Sequence, residues 1–344
     1  MKKNININIL VVLISIIAVG FGIFLEIGNP VGDFRRSQVA STASLFAEEG
    51  IDIFYPKLNV MGDPGYFVLE FPIYQALMAK LWNVFDMKDE WGKVLTGIFW
   101  IISSLYLYNL CLIFTDKRTS LLTCFLFLFS PISLLYSHDI GIEGLTLCLS
   151  ILFLYYGVKW IKSKNLLYYL LALIFACICF PIKLPNIAPM YLPLCLYIYT
   201  KNNNRFSSIF SPLFIFLGLI PLTFALIWQN HSDSVNSLYD LSAFHTSKGR
   251  FNWYFGTMQQ RFNPLVYLIT LSKSLENIFG SYYGGLLVLF GLVITKRQHF
   301  FLFYLLSYLF GFFIFINLHF THIHYVIPFI PPIMYFTSHS LIFM

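Results

Sequence analysis

Charged residues are scarce in this sequence. Asp, Glu, Lys and Arg make up 11% of the 344 residues, whereas they make up about a quarter of an average soluble domain. Hydrophobic residues reach 58%, and the mean hydropathy is +0.72. The shortage of charge excludes a soluble globular domain. It predicts an all-α polytopic membrane protein, because helices satisfy their own backbone hydrogen bonds in lipid.

Cysteine is also infrequent, and no disulfide framework is indicated. The six cysteines all fall within predicted membrane spans: Cys111, Cys124, Cys148, Cys177, Cys179 and Cys195. The spacing of Cys177 and Cys179 matches neither a zinc site nor a thioredoxin motif, so we interpret these side chains as packing residues. The sequence also lacks internal repeats of fixed period. We therefore expect one integral membrane domain over residues 1–344.

Long apolar runs occur throughout the chain. Each is about 17–22 residues long, enough to cross a hydrocarbon core of about 30 Å. We predict about ten transmembrane helices, at residues 5–25, 94–115, 119–137, 142–160, 165–182, 185–200, 207–228, 281–295, 299–317 and 323–341. No small-residue cleavage site follows the first run, so we expect an uncleaved anchor. No basic flank follows the last run, which is compatible with truncation of a longer protein.

Basic residues are concentrated on one side of this predicted topology. If the amino terminus is cytoplasmic, eleven basic residues and one acid, Asp116, fall in the inner loops. The basic residues are Lys2, Lys3, Lys117, Arg118, Lys159, Lys162, Lys164, Lys201, Arg205, Lys296 and Arg297. This distribution obeys the positive-inside rule. It predicts a multi-pass protein of the cytoplasmic membrane with its functional site on the extracytoplasmic face.

Two long outer loops follow from this topology. The first, residues 26–93, holds ten of the sixteen carboxylates. Its residues 35–49 are predicted to form a short surface helix ended by Gly50. The apolar side of that helix consists of Val39, Ala43 and Phe46. A second surface helix is predicted at residues 67–82.

The second outer loop, about residues 229–280, is polar and of mixed charge. Its length is compatible with a cover over a binding site. We interpret its Arg250 and Arg261 as solvated loop charges. The run 262–279 within it is compatible with a further half-buried helix.

Ionisable residues gather near the ends of the predicted spans, where a charge at membrane depth calls for an explanation. All of them face outside on the predicted topology. They form five clusters: Asp33 with Arg35 and Arg36; Glu70; His138 and Asp139 with Glu143; Lys183; and His319, His322 and His324. Carboxylates and cations gathered over one cavity suit a phosphorylated, lipid-linked substrate. In the competing interpretation, these side chains are solvated at the ends of helices, and Lys183 only extends its charged end to the membrane surface.

No cofactor is predicted, although a divalent cation stays an open alternative. The three histidines, His319, His322 and His324, lie close together in the sequence. A protein zinc site needs three or four ligands in a defined geometry, and no fourth ligand is identifiable.

Several of these motifs resemble a known family. Asp33-x-Arg35, residues 49–56 and Glu70-Phe71-Pro72 resemble the first outer loop of GT-C glycosyltransferases. The most similar members are bacterial ones related to protein O-mannosyltransferases and to the lipid A aminoarabinose transferase. Motifs that follow in the same order are Ser130-Pro131, His138-Asp139, Lys183-Leu184-Pro185 and His324-Tyr325.

The resemblance implies transfer of a sugar, hexose or pentose, from a polyprenyl-phosphate donor to a hydroxyl of a lipid, glycan or protein acceptor. Asp33 matches the catalytic base of such enzymes, Asp139 a second acid, and Glu70 the loop acid. The residues expected to bind substrate are Arg35, Arg36, Glu143, Lys183 and His324. A carboxylate base activates a poor hydroxyl nucleophile, and cations stabilise the departing lipid phosphate. No nucleic-acid partner is expected.

Two other functions stay open. A transporter or flippase of lipid-linked glycans would also be polytopic, but such proteins often show repeated halves and charges near the membrane midplane. A polysaccharide polymerase or ligase would share the outer-face site, but we would expect its largest outer loop late in the chain. The gathering of charges at one face, with a large first loop, favours the transferase.

Overall fold

The computed structural model describes residues 7–24, 34–295 and 299–344. This part of the chain is predominantly α-helical and contains no β-strand, only an isolated bridge between Lys57 and Tyr66. The first nine helices are α1 Ile7–Phe24, α2 Phe34–Glu49, α3 Ile73–Val84, α4 Asp89–Leu112, α5 Lys117–Leu128, α6 Pro131–Tyr136, α7 Glu143–Ser163, α8 Leu166–Ile187 and α9 Tyr191–Lys201. The others are α10 Pro212–Asn236, α11 Asp240–Ala243, α12 Phe251–Phe255, α13 Met258–Arg261, α14 Pro264–Phe279, α15 Gly284–Ile294, α16 His299–Ile314, α17 Ile316–Thr321 and α18 Ile330–Phe343.

Six helical stretches of the described chain are long and apolar enough to cross a membrane. They are Ile7–Phe24, Asp89–Leu112, Glu143–Ser163, Leu166–Lys201, Pro212–Asn236 and Ile323–Phe343. Helices α14 and α15 add a seventh if this pair, bent by 89°, counts as one span. The all-α polytopic membrane fold predicted from composition is confirmed.

The predicted span 119–137 is not a single helix. Helix α5 ends at Leu128, and α6 begins at Pro131 after Ser130 caps its first turn by accepting a hydrogen bond from the Ser133 amide. Proline is well tolerated at the start of a helix but cannot donate within one, so the Ser130-Pro131 pair divides the apolar run.

The stretch Leu166–Lys201 reverses direction at Lys183. The backbone of Lys183 leaves the helical region, with φ −156° and ψ 78°. Lys183 contacts Glu143 at the start of α7, whereas Tyr191 packs on Phe153, ten residues farther along α7, with ring centroids 4.8 Å apart. The chain therefore runs back along α7 after Lys183. The two spans predicted at residues 165–182 and 185–200 require such a reversal.

The helix predicted at residues 35–49 is confirmed as α2, whereas its position on the membrane surface stays a prediction. It buries Val39, Ala43 and Phe46 on one side, and Gly50 follows it with φ +102°, a conformation that favours glycine. The second predicted helix starts later than expected, at Ile73. Residues 67–72 precede it as an irregular segment that carries Glu70.

Helices α4 and α7 approach closely at Gly144, next to Glu143. A Cβ atom at Gly144 would lie 2.8 Å from Thr96 Cγ2 and 3.3 Å from the Trp100 ring. Thr96 has little freedom to move, because its hydroxyl donates a 2.7 Å hydrogen bond to the Asp139 carbonyl. Small residues permit such close packing of helices in membranes.

We expect Gly144→Ala to destabilise the protein by about 1–3 kcal/mol, because the added methyl group overpacks this contact. The measurement is the midpoint of thermal denaturation of the purified protein in detergent. Gly20→Ala is the matched control, since no atom lies within 4 Å of a Cβ at this position in α1. Equal midpoints for the two variants would contradict tight packing at Gly144.

Candidate active site

A cavity of about 770 Å³ lies among α2, α8, α10, the segment 237–263 and the turn that precedes α18. One part of its wall is apolar and comes from α8 and α10: Phe180, Ile182, Leu184, Leu222 and Leu226. Another part carries titratable side chains: Arg35, Glu70, Lys183, His245, Arg250 and His324. The cavity thus joins an apolar surface to a charged one.

Arg35 and Glu70 form an ion pair in the cavity wall. The Nη2–Oε1 distance is 2.8 Å, and the same carboxylate oxygen accepts a 2.9 Å hydrogen bond from Gln75. Desolvation acts to lower the pKa of Arg35, but the carboxylates of Glu70 and Glu143 outweigh it and raise the pKa above its ordinary value. Arg35 therefore carries its charge at any physiological pH.

A backbone hydrogen bond holds Glu70 near the reversal in α8. The amide of Phe71 donates to the Pro181 carbonyl at 3.0 Å. This bond brings the irregular segment 67–72 against the stretch that contains Lys183. The loop acid and the buried lysine, 113 residues apart in sequence, therefore face the same cavity.

Glu143 and Lys183 form a second, more deeply buried ion pair. The Oε1–Nζ distance is 2.9 Å, and the side chains are only 4% and 7% exposed. His324 Nε2 lies 3.9 Å from the same carboxylate oxygen. Lys183 Nζ also lies 4.5 Å from the centroid of the Tyr325 ring, a cation–π contact. Glu143 is held behind Lys183, which faces the cavity.

Arg36 and Asp139 form the third ion pair. Asp139 is buried, and neither residue belongs to the cavity wall in the described part of the chain. A Cβ at Gly141 would lie 2.5 Å from a Glu143 carboxylate oxygen and 3.6 Å from one of Asp139. The Arg36–Asp139 pair therefore adjoins the Glu143–Lys183 pair and forms a layer behind the cavity surface.

Asp33, the predicted base, lies outside the described residues. It directly precedes Phe34, the first residue of α2 and part of the cavity wall. Of the eight predicted site residues, four line the cavity, namely Arg35, Glu70, Lys183 and His324, and three lie in ion pairs behind or beside it, namely Arg36, Asp139 and Glu143.

The three histidines of the carboxy-terminal pattern do not converge. His322 and His324 stack with ring centroids 5.1 Å apart, whereas His319 packs against Tyr308 and Phe312. In the described ranges, no group of three or more His, Cys, Asp or Glu side chains is arranged to hold a metal ion.

Arg250, interpreted from the sequence as a solvated loop charge, lies at the cavity. Arg250 is half-buried and lines the cavity, and its Nε atom is buried without a hydrogen-bond partner among the described residues. Its guanidinium lies 5.5 Å from the Tyr254 ring centroid. The pKa of His245 is lowered to about 4 by the burial of its own ring and by the nearby charge of Arg250. This histidine is therefore neutral at physiological pH. In the sequence, the aromatic residues that directly follow Arg250 are the signal that could have indicated its place at the cavity.

Arg261, by contrast, has a structural contact. It donates a 2.7 Å hydrogen bond to the Ile314 carbonyl at the end of α16. Arg261 does not line the cavity described above. The two arginines of the second loop, which the sequence did not distinguish, therefore have different environments.

Comparison with known sequences finds one family model that matches part of the chain. Residues 70–228 match the family model described as dolichyl-phosphate-mannose-protein mannosyltransferase. The matched segment contains Glu70, Asp139, Glu143 and Lys183. No curated protein sequence is significantly similar to the chain.

Solved structures match over nearly the whole chain. ArnT from Cupriavidus metallidurans bound to undecaprenyl phosphate aligns with a TM-score of 0.70 at 12% identity, covering 98% of this chain and 60% of ArnT. Apo ArnT aligns with a TM-score of 0.66 at 13% identity, covering 98% of this chain and 59% of that one. The oligosaccharyltransferase AglB from Archaeoglobus fulgidus, in complex with an inhibitory peptide and a dolichol-phosphate, aligns with a TM-score of 0.59 at 12% identity, covering 98% of this chain and 50% of AglB.

The chain thus spans about half to three fifths of the length of these proteins. At such low identity the likeness is one of fold, and it extends from α1 to α18. This chain therefore has the fold of the GT-C membrane glycosyltransferases, and residues 70–228 match a family of that class.

Proposed function

We propose that the protein transfers a sugar from a polyprenyl-phosphate donor to an acceptor hydroxyl at the outer face of the cytoplasmic membrane. The observation that carries this proposal is the cavity, whose wall joins the apolar side chains of α8 and α10 to Arg35, Lys183 and Arg250. A lipid-linked phosphate needs both surfaces. The undecaprenyl phosphate in the ArnT structure and the dolichol-phosphate in the AglB structure support the same class of carrier. The positive-inside distribution of basic residues supports the outer face.

The cations of the cavity would bind the phosphate and stabilise it as a leaving group. Arg35 and Lys183 each have a carboxylate partner, so they offer oriented hydrogen-bond donors with little net charge. Arg250 has no carboxylate partner in the described chain and adds a full positive charge. Preorganised donors of this kind are most effective where charge develops in the transition state.

Asp33 would act as the general base. Its carboxylate takes the proton of the acceptor hydroxyl as the acceptor oxygen bonds to the sugar C1 atom. The bond from C1 to the phosphate oxygen breaks, its electron pair stays on the lipid phosphate, and the configuration at C1 inverts. Base catalysis of this type contributes typically 10²–10⁴-fold. Glu70, Glu143 and Asp139 would hold the surrounding cations in place.

We expect Asp33→Asn to lower sugar transfer by about 100-fold or more, because the amide cannot accept the proton. The measurement is incorporation of labelled sugar from a polyprenyl-phosphate donor into the envelope fraction of cells that express each variant, at matched protein levels. Glu48→Gln, which neutralises an exposed acid of α2, is the control. Full transfer by Asp33→Asn would remove Asp33 from the role of base.

We expect Arg250→Gln to weaken binding of undecaprenyl phosphate by about 10- to 100-fold, the range expected for loss of a hydrogen bond to a charged group. Binding is measured on the purified protein in detergent. Lys248→Gln removes an exposed cation two residues away and should leave the affinity unchanged. Equal affinities of wild type and Arg250→Gln would show that Arg250 does not contact the phosphate.

A further inference from the structure

Three side chains on one face of α10 bind the backbone of the segment that leads to Glu70. Trp228, Ser232 and Asn236 follow each other at intervals of four residues and therefore share a helix face. Trp228 donates to the Leu69 carbonyl at 2.9 Å, and Ser232 donates to the Val68 carbonyl at 2.6 Å. We call these three residues the α10 clamp.

Asn236 makes the largest contribution to the clamp. Its amide nitrogen donates to the Val68 carbonyl at 2.6 Å, and its amide oxygen accepts from the Val68 amide at 3.0 Å. The side chain thus pairs with both backbone polar groups of one residue. Both Asn236 and Val68 are fully buried. Because an unpaired polar group is costly away from water, Val68 is held at this one position beside α10.

The clamped segment leads directly to the cavity. Glu70 follows Val68 by two residues, and the next residue, Phe71, is hydrogen-bonded to Pro181. The segment is therefore held at one end by α10 and at the other by α8. Between these two attachments, Glu70 is fixed where it meets Arg35.

The backbone of Asn236, the last residue of the clamp, also contacts the start of the second long loop. The Ser242 hydroxyl donates to the backbone carbonyl of Asn236 at 2.9 Å. The ring of His245, which lines the cavity, packs edge-on against Phe67 with centroids 4.6 Å apart. Residues 239–250, which end at Arg250, therefore rest on residues 66–68.

We propose that Asn236 is a positioning residue that holds residues 66–71 and 239–250 in one arrangement, so that the Arg35–Glu70 pair and Arg250 act on the same ligand. The second half of this proposal rests on the proposed function, which makes that ligand a lipid phosphate. The first half concerns the protein without ligand. The two halves are tested by separate measurements.

Hydrogen exchange tests the first half. In Asn236→Ala, the amides of residues 66–71 should exchange faster than in wild type because Val68 loses its side-chain partner, and those of residues 239–250 should follow because His245 packs on Phe67. Asn230→Ala, an exposed position on α10, should leave both segments unchanged. Ser232→Ala should have a smaller effect of the same kind, since Asn236 still bonds to Val68. Faster exchange in only one segment, or in neither, would overturn the proposal.

Binding of undecaprenyl phosphate tests the second half. We expect Asn236→Ala to weaken binding by about 10-fold, and the two changes together to weaken it by less than the product of their separate effects, because coupled sites are not additive. Independent, multiplicative effects of the two variants would overturn the coupling. If wild type itself does not bind undecaprenyl phosphate, the proposed function fails, whereas the exchange experiment still decides whether Asn236 joins the two loops.

Discussion

The buried ion pair between Glu143 and Lys183 is the interaction on which the rest of the site depends. Removing two charges from water costs several kcal/mol per ion unless geometry and further contacts compensate. Here the pair joins the first residue of α7 to the point within α8 where the chain reverses. The reversal also presents the Pro181 carbonyl to Phe71, so the position of Glu70 follows from the position of Lys183.

The site combines high charge density with low net charge. Three carboxylates neutralise three cations in a contiguous layer, in the pairs Arg35–Glu70, Arg36–Asp139 and Lys183–Glu143. Such a layer is preorganised, since its donors already have fixed directions before a ligand arrives. Net attraction for an anion then depends on a cation without a carboxylate partner. Within the described chain, Arg250 meets this condition in the cavity wall, and it lies on a loop that α10 fastens to the segment carrying Glu70.

Much of the fold was predictable from local patterns, and the exceptions have physical causes. The apolar side of α2 was predicted from the spacing of its apolar residues, because residues on one helix face recur at fixed intervals. Its end was predicted from the glycine that follows it. The division of the run 119–137 was missed because hydropathy does not register the break that Pro131 imposes. The place of Arg250 at the cavity could not be predicted, since the cavity is formed with residues of α2, α8 and α10 that are distant in sequence. Asp139 was recognised as an important acid, but its partner Arg36 could not be identified from spacing.

The sequence by itself determined that the chain is a helical membrane protein with charges gathered at span ends. Lipid leaves the backbone no partners outside a helix, and the scarcity of charged residues is a property of composition. Its motifs also pointed to the GT-C class. Only the tertiary structure decided which carboxylate pairs with which cation and which arginine reaches the cavity. Such pairings are set by distances of a few ångströms between helices far apart in sequence, and no local pattern encodes those distances.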